Sequence, residues 1–387
     1  MRALSQKLAL LAFSLLSVLC APAIAQTAPM VYAGYAFSGD YGNRARLYPL
    51  SAELAAEEKD GYLDRLLRER IAAHPVAAAR LQLDQADAAL DQTSVAFALV
   101  QESVEQQRMD GKYWTILTLH ANILAFNRSS NSIVASYPVR LRLTRAEAAA
   151  LSPAELKEWV RSAYAGTNAR ANIFDQWLAA LPTLKLRNSA SKYLRVTEVG
   201  FTPEAEAVLG AAHLDARALR NQLANAFEAS VAEAAQISVI PNSVGEAIGS
   251  KMACRFANGA QIALSLPPAD FELSFTVRGF AGKTVEKQAY FQDIFRVLGA
   301  VKLTQPDLAE TYLNENVYET QIVTRPREAG MELETWPQYY KTLQLLMAGV
   351  AKQMNQVDDR WLQEKASRTL EARPGFLKTN DTIRTMK

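Results

Sequence analysis

Histidine and cysteine, the side chains most used for zinc binding and nucleophilic chemistry, are scarce in this 387-residue sequence. Its three histidines, His74, His120 and His213, fall in three different predicted elements, and no two have the spacing of a metal-binding helix or loop. The two cysteines are Cys20 and Cys254, and the first lies in a predicted export signal. One mature cysteine cannot build a thiolate metal site. We therefore predict no metal and no other cofactor.

Three short motifs resemble catalytic ones but lack the required context. Residues 189–192 have the S-x-x-K spacing of penicillin-binding enzymes, yet they precede a predicted strand and the companion motifs are missing. Residues 279–284 resemble a phosphate loop that is two residues too short between its glycines, so we interpret them as a hairpin turn. Residues 245–249 lack the spacing of a dinucleotide fingerprint, and the serine elbow G-x-S-x-G is absent. These patterns favour a non-enzymatic function.

Three polar residues remain as candidates for ligand binding: His120, Arg140 and Arg142. His120 lies on the polar face of a predicted strand, where a surface or edge histidine is the ordinary interpretation. The two arginines lie on the polar face of the next strand and could hold an anionic group, although such charges also protect edge strands from aggregation. Carboxylate pairs such as Glu57-Glu58 and Asp358-Asp359 fall in helical segments that we expect to be solvated. We predict no catalytic residue.

The amino terminus has the composition of a secretory signal peptide. Arg2 and Lys7 form a short positive region, residues 8–19 are apolar, and small residues end the segment. The apolar run is shorter than the 20 or so residues that span a bilayer. We predict cleavage between Ala25 and Gln26, and hence a periplasmic (bacterial) or secreted protein.

A lipid anchor is the alternative fate of this signal, because Cys20 ends its apolar core. Lipoprotein processing requires a small residue before the cysteine, and Leu19 stands there. Ordinary cleavage is therefore the expectation. It leaves Cys254 as the mature cysteine, so no intramolecular disulfide can form.

Composition limits the classes of partner. The formal net charge is +2 and no run of Lys or Arg offers a track for phosphates, so we predict no nucleic-acid partner. No later segment is apolar for long enough to span a membrane. With 49% hydrophobic residues the chain can fill two cores, and its length favours two domains. Homo-oligomerisation is left open.

Hydrophobic periodicity predicts a first α+β module over residues 26–187. Residues 31–37 have the pattern of a buried strand that ends in a turn, and residues 63–71 that of a helix. Helical spacing at Val95, Leu99 and Ser103 predicts a further helix. The alternating residues 117–123 and 133–143 predict a long hairpin with one buried face, followed by helices at the capping box Ser152 to Glu155 and at 173–181.

A second module is predicted over residues 188–330. It starts with a strand at 193–201 and a helix opened by Thr202, and it continues with a helix at 219–231 and a short strand at 237–240. Asn258-Gly259 is a strong hairpin signal, and further strands follow at 271–277 and 317–324. Residues 331–372 predict a carboxyl-terminal helix, and residues 373–387 a disordered tail.

The two modules contain similar segments. Residues 174–186 align without a gap with residues 291–303, which predicts the same helix and exit in both. Residues 36–40 are echoed by residues 200–204, each a small polar turn after an aromatic residue. Duplication and a chance similarity of apolar patterns both explain these echoes, and the sequence leaves both open.

Each module resembles the amino-terminal domain of TolB and the related periplasmic domain of curli-channel proteins, which flagellar T-ring proteins also use. The resemblance rests on the strand that ends in phenylalanine before a polar turn and helix, and on the helix 219–234 leading to the strand 237–241. It implies a non-enzymatic part in an envelope assembly. Residues 31–35 are less aliphatic than in the family, no propeller repeats follow, and no binding residues can be transferred.

The predicted fold class is α+β: two similar modules, each a mostly antiparallel sheet packed with helices, plus a carboxyl-terminal helix. We expect an exported, non-enzymatic protein that acts through protein–protein contacts with envelope proteins. Two alternatives stay open. A hydrolase of an envelope polymer would need convergent polar residues in a cleft, and a binder of a lipid or small apolar ligand would need a cavity between sheet and helices.

Overall fold

The structure, a computed structural model, describes residues 30–39, 41–57, 61–84, 91–109, 111–168, 171–186, 192–242, 251–326 and 335–387. The predicted signal, its cleavage site, Cys20, the serines of the S-x-x-K motif and the glycines at 245 and 249 lie outside these residues. The fold class is α+β, as predicted. Two mixed, mostly antiparallel sheets are packed with helices, and helices follow at the carboxyl terminus.

The first unit holds a sheet with the strand order β2-β1-β3-β4-β5. Strand β1 is parallel to β2 and to β3, and β3, β4 and β5 form an antiparallel meander. Its elements are β1 (Met30–Ser38), α1 (Arg44–Leu47), α2 (Pro49–Ala55), α3 (Tyr62–Ala73), α4 (Pro75–Arg80), β2 (Leu81–Gln82), β3 (Thr93–Met109), β4 (Lys112–Asn127), β5 (Ser132–Glu147), α5 (Pro153–Ala165) and α6 (Ile173–Ala180), with 3-10 turns at Tyr41–Asn43 and Leu181–Thr183.

The second unit repeats this arrangement with the order β7-β6-β10-β11-β12, in which β6 is parallel to both neighbours and an antiparallel meander follows. Its elements are β6 (Leu194–Phe201), α7 (Pro203–Ala211), α8 (Ala216–Ala235), β7 (Val239–Ile240), β8 (Lys251–Phe256), β9 (Gln261–Ser265), β10 (Phe271–Glu286), β11 (Tyr290–Gln305), a 3-10 turn (Pro306–Leu308) and β12 (Glu310–Pro326). The helices α9 (Thr335–Asn355), α10 (Asp359–Lys365) and α11 (Thr369–Thr385) complete the chain.

The hairpin β8–β9 joins the two units. It belongs to the second unit in sequence, but β8 pairs with β1 and β9 pairs with β5 at Ser132 and Ser265. The strands β1, β3, β4, β5, β9 and β8 thereby close into a ring. A boundary at residue 188 thus assigns to the second module a hairpin that completes the first sheet.

One face of the first sheet packs against α3, α5 and α6 through a cluster of aromatic residues. Tyr35 and Phe97 stack with ring centroids 5.1 Å apart, and Phe174 contacts Phe97 edge-on at 5.1 Å. The rings of Tyr164 and Trp177 are also fully buried in this core. Large aromatic side chains bury much apolar area each, so this cluster is a principal source of the first unit's stability.

The predicted helix at 95–103 is wrong, because these residues belong to strand β3. Val95, Leu99 and Ser103 are four residues apart, and four is a multiple of the strand period as well as close to the helical one. The residues between Val95 and Leu99 are also buried. A strand covered on both faces has no alternation that would distinguish it from a buried helix.

The long hairpin β4–β5 exists, but its predicted single buried face is also wrong. Over residues 117–126 both faces of β4 are buried, since α8 and the hairpin β8–β9 cover the second one. A bulge in β5 moreover pairs Ile133 with Phe126 and turns it to the opposite face from Ala135. A covering element from the distant second unit could not be inferred from local alternation.

The longer of the two predicted internal echoes does not relate equivalent elements. Residues 174–186 contain α6 and a 3-10 turn, whereas residues 291–303 lie in strand β11. The shorter echo, of which residue 40 lies outside the described residues, includes the end of β1 and the end of β6. Residues 279–284, interpreted as a turn, are part of β10, where Gly282 pairs with Phe295.

The carboxyl-terminal region differs from the prediction in two ways. The single helix of residues 331–372 is interrupted after Asn355 and again after Lys365. The expected disordered tail is helix α11, in which Phe376 and Ile383 are buried. These two residues are spaced seven apart on one helix face. Pro374 inside the helix removes one backbone donor but does not end it.

Candidate functional site

A cavity of about 80 Å³ lies between the second face of the first sheet and helix α8. Both units contribute to its wall, and most of the polar side chains are amides. It has room for a few water molecules or for one end of a larger molecule. The polar residues that line it include Gln101, His120, Asn122, Asn221, Asn225, Glu228 and Asn242.

Strand β4 places His120 and Asn122 in this cavity. Side chains two positions apart project from the same face of a strand, and the opposite face carries Leu119 and Ala121 in the aromatic-rich core. His120 is 5% exposed and Asn122 is 3% exposed. Within the part of the chain that the structure describes, neither side chain has a hydrogen-bond partner, and both line the cavity. Their hydrogen-bonding groups are thus available to an occupant of the cavity.

His120 is held in its neutral form. Burial, and then the positive charge of Arg140, lower the pKa of His120 to about 3. A neutral imidazole has one nitrogen that donates and one that accepts a hydrogen bond. His120 therefore offers both functions without charge at neutral pH.

A bulge in β3 supplies a further polar group. The pairing with β4 shifts between Leu99 and Gln101, so that Val100 and Gln101 both border the cavity. The Oε1 atom of Gln101 accepts a hydrogen bond from the Nδ2 atom of Asn225 at 3.1 Å. This contact connects the first sheet to α8 across the cavity wall.

Glu228 is the buried carboxyl group of the site. Burial raises its pKa to about 8, against hydrogen bonding from the Asn242 backbone and the charge of Arg195, which lower it. Its Oε2 atom accepts a hydrogen bond from the backbone N–H of Asn242 at 2.7 Å. At neutral pH the carboxyl group is mostly protonated, so this wall of the cavity is also close to neutral.

The nearby hydroxyl and thiol groups are not activated as nucleophiles. The hydroxyl of Ser38 donates to the sulfur of Met252 at 3.2 Å. Burial raises the pKa of the Cys254 thiol well above its ordinary value, which disfavours the reactive thiolate. Among the described residues, no group of three or more His, Cys, Asp or Glu side chains is arranged to hold a metal ion. The arrangement is suited to hydrogen bonding with an uncharged group.

The three residues predicted as binding candidates lie in different places. His120 is buried in the cavity and is not a surface or edge histidine. Arg140 pairs with His120 across the strands but lines a separate groove of about 840 Å³, which also contains Glu233 and Lys352. The Nη1 atom of Arg142 donates to Gln344 on α9 at 2.7 Å. The three therefore do not form one site.

Sequence reasoning missed the residues that α8 contributes. Asn221, Asn225 and Glu228 are four and three positions apart, which places them on one face of the helix. The predicted helix at 219–231 rests on the neighbouring apolar stripe of Leu219, Leu223, Phe227 and Val231. A polar stripe on a helix that is otherwise rich in alanine was the available signal.

The fold and the site together define an α+β protein with a partly open cavity between its two units, lined by apolar side chains and by a set of polar ones. The sequence matches no family model and no curated protein. A solved structure that matches part of the chain is a minor lipoprotein from Acinetobacter baumannii, with 8% identity, a TM-score of 0.20, and coverage of 43% of this chain and 88% of that one. A TM-score of this size does not indicate a common fold. No helix in the described ranges has the length and apolarity needed to cross a membrane.

Proposed function

We propose that this is an exported binding protein that holds a small molecule, or one end of a larger one, in the cavity beside α8. The observation that carries the proposal is the state of His120: it is 5% exposed, borders the cavity, and has no hydrogen-bond partner in the described part of the chain. A buried polar group without a partner costs free energy. A bound molecule that supplies the missing hydrogen bond would recover that cost.

The protonation states favour binding over catalysis. An efficient general base has a pKa near the working pH and lies within hydrogen-bond reach of a reacting group. The pKa of His120, about 3, makes it a weak base. Glu228 has a pKa of about 8, but its Oε2 atom already accepts the Asn242 backbone N–H. This supports a non-enzymatic role.

Native mass spectrometry of the full chain, purified from its own cell extract, tests the proposal. We expect a bound small molecule that is retained in H213N, which changes an exposed histidine outside the cavity. We expect it to be lost in N122L, which replaces the carboxamide with an apolar side chain that has the same number of non-hydrogen atoms. H120F, which keeps a planar ring but removes both nitrogens, should lose it as well. Equal occupancy in all variants would contradict the proposal.

A second candidate function is a part in an envelope assembly through protein–protein contacts. The observation that favours it is helix α8 leading into β7, since the resemblance to the TolB and curli-channel domains rests partly on that connection. Co-purification from envelope extracts after crosslinking should recover a stable partner. A chain that remains monomeric and captures no partner would count against this role.

Export is itself part of the proposal. The amino-terminal sequence of the protein recovered from the producing cells should begin at Gln26. Tyrosine in place of Ala25 should block cleavage and leave the precursor, whereas C20A should leave processing unchanged. A mature chain that begins at Cys20 and partitions into detergent would instead indicate a lipid anchor.

A further inference from the structure

We infer that the cavity selects an uncharged group that both donates and accepts hydrogen bonds, as a carboxamide does. The inference rests on the proposed ligand-binding function and specifies the chemical class of the ligand. A carboxamide occurs in peptides and in N-acetylated sugars, so the group itself, and not one compound, is what the cavity identifies.

The sheet side of the cavity carries two polar side chains that an occupant can reach. His120 and Asn122 are nine-tenths or more buried and both lack a partner in the described ranges. The Asn122 side chain carries an acceptor oxygen next to a donor nitrogen. The complement of that pair is a group with a donor next to an acceptor, and another carboxamide has this geometry. The imidazole of His120 adds one donor and one acceptor on the same strand face.

Helix α8 contributes further hydrogen-bonding groups to the cavity wall. Asn225 lines the cavity and uses its Nδ2 atom for Gln101, so its side-chain oxygen can still accept a hydrogen bond. The carboxamide of Asn221 lines the same wall and has no partner among the described residues. An occupant would thus meet donors and acceptors from both units at once. Binding of such a group would link the first sheet to α8.

The charges around the cavity disfavour an ionic ligand. His120 is uncharged at neutral pH, and Glu228 is mostly protonated and bound to the Asn242 backbone. The two arginines whose charges act on His120 and Glu228 do not line the cavity. Arg140 lines the separate groove, and Arg195 donates to the carbonyl of Pro267 at 3.0 Å. A buried ion needs a counter-charge, and the cavity wall does not supply one at neutral pH.

Three probes of nearly the same shape and different charge test this inference: acetamide, acetate and acetamidinium. Each is titrated into the full-length, ¹⁵N-labelled protein at pH 6, where acetate and acetamidinium are ionised. We expect acetamide to produce saturable shifts of the Asn122 and Asn225 side-chain amides, and both ions to bind at least about tenfold more weakly. H120F and N122L should weaken acetamide binding, and H213N should leave it unchanged.

The outcomes distinguish selectivity for an uncharged group from ligand binding as such. If acetate or acetamidinium saturates the cavity resonances as well as acetamide does, the selectivity for an uncharged group is wrong and ligand binding stands. If none of the three probes binds and the purified protein carries no small molecule, both proposals are overturned. If H120F or N122L fails to fold, as judged by circular dichroism, H120L and N122A, which also remove the hydrogen-bonding groups, replace them with the same expectations.

Discussion

At the scale of single residues, Glu228 predicts how stability depends on pH. Its pKa is about 8 in the folded chain, against an ordinary 4.5. Between these values the unfolded chain loses the proton while the folded chain keeps it, so the free energy of unfolding should fall as pH rises from 4.5 to 8. The loss from this group is at most about 5 kcal/mol. Urea unfolding across this range measures it.

E228Q is the variant that isolates this effect, because glutamine keeps the shape and cannot ionise. We expect its unfolding free energy to lose much of the decline between pH 4.5 and 8. E233Q, on an exposed position of the same helix, is the matched control and should retain the wild-type profile. An unchanged pH profile in E228Q would show that the carboxyl group does not titrate as we infer.

A second prediction at this scale concerns Gly299 in β11. A Cβ atom there would lie 2.4 Å from the Cζ atom of Phe275, whose ring packs against Phe227 at a centroid distance of 5.6 Å. G299A should therefore destabilise the protein by about 1–3 kcal/mol, as overpacking of a core does. G279A is the control, because nothing lies within 4 Å of the added atom in the adjacent strand. If G299A and G279A were equally stable in thermal unfolding, the close packing of Gly299 against Phe275 would be contradicted.

At the scale of elements, helix α11 shows that the carboxyl-terminal residues belong to the core. Phe376 is fully buried and its ring lies edge-on to Trp361 at 6.1 Å. F376A should cost about 3–5 kcal/mol of stability, because it removes a large buried ring. L370A, on a residue that is 90% exposed in the same helix, should have little effect. Chemical denaturation compares the two, and a harmless F376A would restore the prediction of a disordered tail.

Strand β3 shows why some elements could not be assigned from the sequence. Its apolar residues satisfy helical spacing and strand spacing together, and coverage on both faces removes the polar alternation that usually decides between them. A helix with a distinct capping motif could be assigned from the sequence. Helix α5 begins at Pro153, and the N-cap residue Ser152 forms the capping box with Glu155 that the sequence indicated.

At the scale of the whole molecule, the two units should unfold together. Helix α8 packs Phe227 against the second sheet and hydrogen-bonds Gln101 of the first through Asn225, and the β8–β9 hairpin completes the first sheet. Neither sheet can open without exposing surface that the other unit covers. Hydrogen exchange should therefore give similar opening free energies for β4 and β11. A clearly lower value for one sheet would indicate independent domains.

The sequence by itself determined the α+β class, the helices with clear caps or stripes, and the hairpin at Asn258-Gly259. These follow from local rules, since capping, turn residues and periodicity act over a few positions. It also singled out His120 as a candidate. Only the tertiary structure decided that His120 is buried, because the helix and hairpin that cover its strand come from residues about 100 or more positions later. Tertiary contacts likewise placed Glu228 and the asparagines of α8 opposite it. Burial and convergence depend on which distant surfaces pack together, and local patterns do not encode that.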